Sequence, residues 1–443
     1  MFDLLIAGGT VVTPSGIGIT DVGVRNGRIA TIGSLAGQAA ADTFDAKDLH
    51  VLPGVIDSQV HFREPGNMHK EDLESGSRGA VLGGVTAVFE MPNTHPPTTT
   101  RLALEDKLSR ARGRMHCDYA FYVGATPDNI GALAELERAP GVAGVKAFLG
   151  SSTGSLLLDR EEDIAAALRA GNRRMAVHSE DEARLRDRKP LALPGHPETH
   201  PVWRDVETAR RSTERVLALA RRAGRRVHVL HVTAADELPL LAEAHDIATA
   251  ETTPQHLTLA APDCYERLGT YAQMNPPIRD ASHREALWRA VQDGVIDVIG
   301  SDHAPHTREE KEKIYPDTPS GMPGVQTLVT ILLDHVNAGR LSLSRFVDLT
   351  SSGPMRIFGV AGKGRIVPGY DADFTIVDLK ASRRIENSRM ANKSGWTPFD
   401  GMTTTGWPMA TVIRGRIVMR DGVLVAPANG TPVRFLETLV PGA

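Results

Sequence analysis

The sequence predicts an α/β protein, a (β/α)8 TIM barrel with a small β-sandwich domain formed from both termini. Three observations carry this expectation. The middle of the chain alternates apolar runs of strand length with helical patterns, the signature of βα units. Eight such runs occur, the number that closes a barrel. Both ends read instead as short strands separated by tight turns. The division expected is 1–51 plus 364–443 for the β-domain and 52–363 for the barrel. An open doubly wound sheet is the runner-up, but no G-x-G-x-x-G turn follows an early strand.

The eight candidate barrel strands are Val55–Val60, Ala87–Met91, Cys117–Val123, Gly144–Phe148, Met175–Val177, Val227–Leu230, Ile247–Ala250 and Val295–Gly300. Helical patterns lie between most of them, for example Glu71–Leu82, Glu161–Arg169 and Val206–Arg222. Near the N-terminus, Leu4–Ile6, Thr10–Val12 and Asp21–Arg25 read as strands. Asn26-Gly27 is a hairpin signal, because both residues tolerate positive φ. Toward the C-terminus, Phe374–Asp378, Ala410–Ile413 and Arg416–Met419 are strand-like, and Asp421-Gly422 is a second turn dipeptide. From His303 to Gly324 runs a long loop rich in charge, Pro and Gly. It reads equally as an active-site cover or a solvated insertion.

A chain of 443 residues accommodates one large domain and a smaller partner. The hydrophobic share of 41% and the charged share of 23% are those of an ordinary globular protein. A formal net charge of -4 argues against a nucleic-acid partner, which needs a basic face. Cys117 and Cys264 form neither a disulfide framework nor a CxxC zinc site, so a reducing compartment, the cytoplasm, is expected. The opening MFDLLIAGGTVV lacks the basic segment and long apolar core of a signal peptide. No apolar run reaches membrane-spanning length, so no membrane partner is expected.

The residues capable of chemistry sit where the strands end. His61 follows the first strand and Asn93 the second. Lys146 lies in the fourth, His178 ends the fifth, His231 the sixth and Asp302 the eighth. In a closed barrel those ends meet at one rim, where such enzymes place their chemistry. Imidazoles and a carboxylate without thiolate suit zinc or a similar divalent ion. Singly, each has a bland explanation. A lone histidine is usually a packing residue, Lys146 can snorkel to the rim, Asp302 can cap a turn and Asn93 can serve turn chemistry. Independent packing residues have no reason to share one rim, so a metal site is the joint expectation. Arg63, two residues beyond His61, points to the same face and can grip a carboxylate with two parallel hydrogen bonds. The alternative is that it pairs with Glu64 or Glu71 at the surface.

With these residues stand the segments VHFREPGNMHKEDLESGSRGA, GGVTAVFEMPNTHPPT, GVKAFLGSSTG, VHSED, VLHVTAA, ETTPQHL, NPPIRD and SDHAPH, and the C-terminal WTPFDG and IRGRIVMRDG. Through them the chain resembles the dihydroorotases of the amidohydrolase superfamily over nearly its whole length. The resemblance implies a binuclear zinc centre bridged by Lys146 carboxylated by CO2. His61, Lys146 and Asp302 would hold the first ion, and Lys146, His178 and His231 the second. It implies reversible hydrolysis of dihydroorotate to N-carbamoyl-aspartate, the step of pyrimidine biosynthesis, by metal-activated hydroxide with Asp302 as acid and base. Arg63, Asn93 and His306 would hold the substrate carboxylate, and Asn275 the pyrimidine ring.

One position departs from the family. Its metal strand usually carries two histidines flanking one residue, and the first of these is Gln59 here. A glutamine offers only an amide oxygen, a weaker and harder donor than imidazole. Gln59 then coordinates weakly, or leaves the first site empty so that one ion remains instead of two, or marks a non-catalytic dihydroorotase-like partner protein. The presence of every other site residue favours an active enzyme. A small-molecule substrate and a homo-oligomer, dimer or tetramer, are expected. Pairing with aspartate transcarbamoylase, known for some relatives, has no visible determinant. The competing substrate class is that of allantoinases and hydantoinases; allantoinases share the EPG turn but usually lack the arginine at position 63.

Overall fold

The computed structural model describes residues 1–152 and 156–439. Thr153 and Gly154 of the GVKAFLGSSTG segment lie outside the described residues, as do the last four positions of the stretch 364–443.

The N-terminal strands are β1 (Phe2–Thr13), β2 (Gly16–Arg25), β3 (Arg28–Gly33), β4 (Ala40–Asp45) and β5 (His50–Pro53). The barrel strands are β6 (Val55–Val60), β7 (Val85–Glu90), β8 (Asp118–Gly124), β9 (Val142–Phe148), β10 (Met175–His178), β11 (Val227–Val229), β12 (Ala248–Thr252) and β13 (Val298–Ile299). Then come β14 (Phe374–Arg384), β15 (Thr403–Ile413), β16 (Arg416–Arg420) and β17 (Val423–Leu424).

Strands β6 to β13 pair in chain order, all parallel. Each apolar run read from the sequence falls on one of them, though the last is shortened to two residues. The ring closes through a single parallel bridge from Val60 to His303, where His61 N donates to His303 O at 2.7 Å. The eight strands are nearly continuous runs of buried residues because both faces are covered. Outside, helices pack over Val88, Phe121, Val145 and Val177. Inside, Ile56, Phe89, Tyr122 and Leu230 meet Phe358 and Phe435, which plug the end away from the strand C-termini.

The helices obey ordinary capping. Leu73–Leu82 begins two residues later than expected, because Asp72 takes the N-cap and accepts from Ser75 N at 2.8 Å. Val206–Ala223 is capped by Asp205 and stopped by Gly224 at φ 67°, a left-handed position suited to glycine.

The terminal strands build one sheet in the order β17-β16-β15-β14-β5-β1-β2-β3, with β4 against β1. Both predicted hairpins are present, with Asn26 and Gly27 at φ 52° and 71°, and Asp421 and Gly422 at φ 50° and 76°. The expectation of two separate strands at Leu4–Ile6 and Thr10–Val12 is corrected. They are one strand, irregular between Ile6 and Gly9, where Gly8 adopts φ 69° and donates its N–H to Asp21 Oδ1 at 2.8 Å. The sheet meets the barrel at a buried ion cluster: Lys363 Nζ lies 2.6 Å from both Asp118 and Asp373.

Candidate active site

Asp57, inside β6, fixes the rim. Its Oδ1 accepts from Ser301 N at 2.9 Å and from Gln59 N at 3.2 Å, tying the first strand to the end of the last. The chain then presents its polar residues through unusual backbone. Arg63, His231 and Asp302 have φ of 62°, 38° and 44°, a region that non-glycine residues adopt at a cost of about 1–3 kcal/mol each. Such positions persist where the surroundings over-determine them, and three at one rim mark a built site.

Gln59, His61, Arg63, Asn93, His178, His231, Asn275 and Asp302 line a single cavity. Of the ten residues picked from the sequence, Lys146 and His306 are not among its lining side chains; both are fully buried close by. Lys146 does not snorkel. Among the described residues its Nζ has no hydrogen-bond partner, and it lies 4.5 Å from the centre of the Phe148 ring. Burial pushes this amine down to about 7.

The imidazoles are oriented by acceptors behind them. His178 Nε2 donates to Glu180 Oε2 at 2.8 Å, which leaves Nδ1 as a lone pair 3.1 Å from His231 Nε2. Burial favours the neutral form of Glu180, but Arg204 and His178 outweigh it and hold the carboxyl below its ordinary range. Burial lowers both histidines, so both are neutral at pH 7. On the opposite side, His61 Nδ1 is 2.8 Å from Asn93 Oδ1, and His61 Nε2 is 3.2 Å from Asp302 Oδ1. Gln59 Nε2 donates to that same oxygen at 3.0 Å.

These residues fit a divalent cation. Lys146 Nζ, His231 Nδ1 and Gln59 Oε1 are buried polar atoms without a partner among the described residues, and orphans of that kind need an explanation. Neutral imidazoles with a carboxylate are zinc-type donors. Among the described residues no three His, Cys, Asp or Glu side chains gather closely enough to hold an ion by themselves. The donors come as two pairs, His61 with Asp302 and His178 with His231. Lys146 links them: the Asp302 carboxylate favours its charged form, and its charge in turn disfavours protonation of both histidines of the second pair.

Arg63 is 3% exposed and does not pair with Glu64 or Glu71. Glu64 is taken by Arg114 at 2.7 Å, and Glu71 bonds the Ser75 hydroxyl. Arg63 Nε donates to Pro305 O at 3.2 Å, and its Nη2 lies 3.3 Å from His306 Nε2. His306 Nε2 is also 3.0 Å from Ser320 O, and His306 Nδ1 is 3.2 Å from Lys70 Nζ. Burial keeps this ring neutral with a single N–H. That proton belongs between Nε2 and the Ser320 carbonyl, because Lys70 can only donate to Nδ1. The Arg63 contact with His306 is therefore packing, and the guanidinium retains a donor and a full charge with no carboxylate within 4 Å among the described residues. Burial lowers it only to about 10. Asn275 is steadied by His200, whose Nε2 donates to Asn275 Oδ1 at 3.0 Å.

The long loop is a wall of the site and not a solvated insertion: Ala304, Ser320 and Gly321 line the cavity. Buried Lys311 staples it, donating to Gln273 O at 3.2 Å and Pro319 O at 2.9 Å. Trp396 of the WTPFDG segment donates to His306 O at 2.8 Å. Sequence reasoning missed these wall residues, along with Phe148, Ser152 and the Glu180–Arg204 clamp. Glu180 alone had a signal, since it stands two residues past His178.

Family models match the chain as amidohydrolase family over residues 212–418 and as dihydro-orotase-like over residues 49–148. A dihydroorotase of Halobacterium salinarum is 37% identical over 94% of this chain and 97% of its own. An allantoinase of Rubrobacter xylanophilus is 34% identical over 98% of each. The solved L-hydantoinase from Arthrobacter aurescens superposes with a TM-score of 0.93 at 30% identity, covering 98% of this chain and 100% of that one. By these matches, and by the barrel rim that carries its imidazoles, carboxylate and lysine, the chain belongs to the amidohydrolase family, in its dihydroorotase-like group.

Proposed function

We propose that the chain is a dihydroorotase, hydrolysing the ring amide of (S)-dihydroorotate reversibly to N-carbamoyl-L-aspartate. The observation that carries this reading is Arg63, a buried guanidinium facing the cavity without a carboxylate of its own. A substrate carboxylate supplies the missing counter-charge, through charge-assisted hydrogen bonds. Hydantoin and allantoin rings carry no such group.

His61, Lys146, His178, His231 and Asp302 are the residues that would hold zinc, as one or two ions, with Lys146 carboxylated. When bound, such an ion acidifies water and polarises the scissile carbonyl. The chain's own residues do the rest. Arg63 anchors the carboxylate at one end of the ring, and Asn275, its amide steadied by His200, meets the ring's polar edge. Asn93 and His306 hold His61 and the loop carbonyl of Ser320 in place beside that anchor. Asp302 takes the proton of the attacking water and delivers it to the leaving ring nitrogen, and in ring closure it works in reverse. The loop from His303 to Gly324 walls the cavity against bulk water.

Around this reading we place a barrel at 52–363 and a β-domain at 1–51 plus 364–443. We also infer a cytoplasmic homo-oligomer, dimer or tetramer, acting on a free small molecule, with no nucleic acid or membrane partner; pairing with aspartate transcarbamoylase has no determinant in its favour. Both cysteines are free and buried, which suits a reducing compartment. Among the described residues no helix is long and apolar enough to cross a membrane.

The test is turnover of dihydroorotate, allantoin and a panel of hydantoins by the purified protein. Preference for the carboxylated ring supports the assignment. Preference for an uncharged ring moves it to the hydantoinase class, and turnover of none, on folded and metal-loaded protein, favours a non-catalytic partner.

A further inference from the structure

The Gln59–Asp302 hydrogen bond bears on how many cations the cavity takes. Gln59 Nε2 donates to Asp302 Oδ1 at 3.0 Å, and His61 Nε2 lies 3.2 Å from the same oxygen. The lone pair of an amide nitrogen is delocalised, so that nitrogen is a donor only and binds no cation. Its N–H also presents a positive dipole end to the carboxylate oxygen that an ion would need. Turning the amide over would set Oε1 against Oδ1 at the same 3.0 Å, acceptor against acceptor. Asp302 therefore fixes the amide with its nitrogen inward. Oε1 is left without a partner among the described residues, and as an amide oxygen it is a harder and weaker ligand than imidazole.

The opposite pair differs. His178 Nε2 donates its proton to Glu180, and His178 Nδ1 and His231 Nε2 face each other at 3.1 Å. Among the described residues neither facing nitrogen meets an amide or hydroxyl donor. Lys146 Nζ, unpartnered among the described residues, is the further group at hand.

We infer that the chain holds one divalent cation, on the His178–His231–Lys146 side. In the Gln59–Asp302–His61 group the Gln59 amide donates to the acid/base carboxylate, positions it and takes the place of a second ion. The inference rests on the proposed function only in taking the cavity to bind a cation at all.

The experiment uses the full chain, stripped with a chelator and reloaded with zinc, and counts ions per chain by elemental analysis. A parallel sample loaded with Mn2+ is read by electron paramagnetic resonance, which separates isolated ions from coupled pairs. Wild type is expected to take one ion and show an isolated signal. Gln59→His and Gln59→Glu each replace the amide donor by a ligand, and are expected to take a second ion and show a coupled pair. Two ions in wild type would overturn the inference and leave the proposed function standing. So would a folded Gln59→His and Gln59→Glu that both stay at one ion. No ion in any of the three would overturn the metal reading itself. If neither variant folds, the wild-type count and signal still decide.

Discussion

Glu180 accepts the Nε2 proton of His178 at 2.8 Å while Arg204 grips the same carboxylate at 2.5 and 3.0 Å. The acid thereby selects which imidazole nitrogen faces the cavity. Glu180→Gln should leave the fold intact and weaken cation affinity by about 10–100-fold, because an amide can offer His178 either a donor or an acceptor. A chelator-competition titration measures this. An unchanged affinity would remove Glu180 from the site.

Arg63→Ala should raise KM for dihydroorotate by about 10–100-fold, the worth of a charge-assisted hydrogen bond of about 1.5–3 kcal/mol. Turnover of an uncharged hydantoin should change far less. Arg63→Lys should recover only part of the loss, since an ammonium cannot make two parallel bonds to a carboxylate. Steady-state kinetics on both substrates reads the difference, and equal losses on both would mean that Arg63 serves the cavity wall and not the carboxylate.

Gly76 lies on the helix Leu73–Leu82 against Phe62, the neighbour of His61. A Cβ there would stand 2.3 Å from Phe62 Cδ1. Gly76→Ala should cost about 1–3 kcal/mol through overpacking. It should also disturb the metal strand, so melting temperature and cation affinity should fall together. A variant as stable as wild type would show that the Phe62 ring has room to move.

Lys311 is fully buried, and burial alone pushes it from 10.5 down to about 7. Between these values the unfolded chain binds a proton that the folded chain does not. Stability should therefore rise with pH across that window and be flat below it. Lys311→Met should abolish this increment, so the melting temperature of wild type minus that of the variant should rise toward pH 10. A gap that stays constant from pH 7 to 10 would mean the ammonium remains charged in the fold.

The sequence exposed the barrel because each strand is covered on both faces and so forms an unbroken apolar run. It exposed His61, His178, His231 and Asp302 because they end those runs. What it hid are relations between distant segments. Nothing local says that Glu64 is claimed by Arg114, leaving Arg63 alone, or that Trp396 reaches back to His306 O. The irregularity that joins Leu4–Ile6 to Thr10–Val12 was hidden for another reason. Gly8-Gly9 reads as a break, whereas the chain keeps its direction there and only shifts register. The loop from His303 to Gly324 stays ambiguous by composition, because the carbonyls that buried Lys311 serves cannot be paired with it from the sequence.

His303 has a mechanical consequence. It joins the first strand through a single bridge and the loop through a second, to Met322, while its Nδ1 accepts from Gly324 N at 3.0 Å. The last strand has only two residues, whereas β8 and β9 each have seven. The ring is thus thinnest directly beneath His61 and Asp302. A local fluctuation that parts the barrel would begin there, loosening the acid/base carboxylate and the cavity wall in one event while the His178–His231 wall stays shut. Amide hydrogen exchange should record this as earlier labelling of His61 and Ala304 than of Ala176 and Val177.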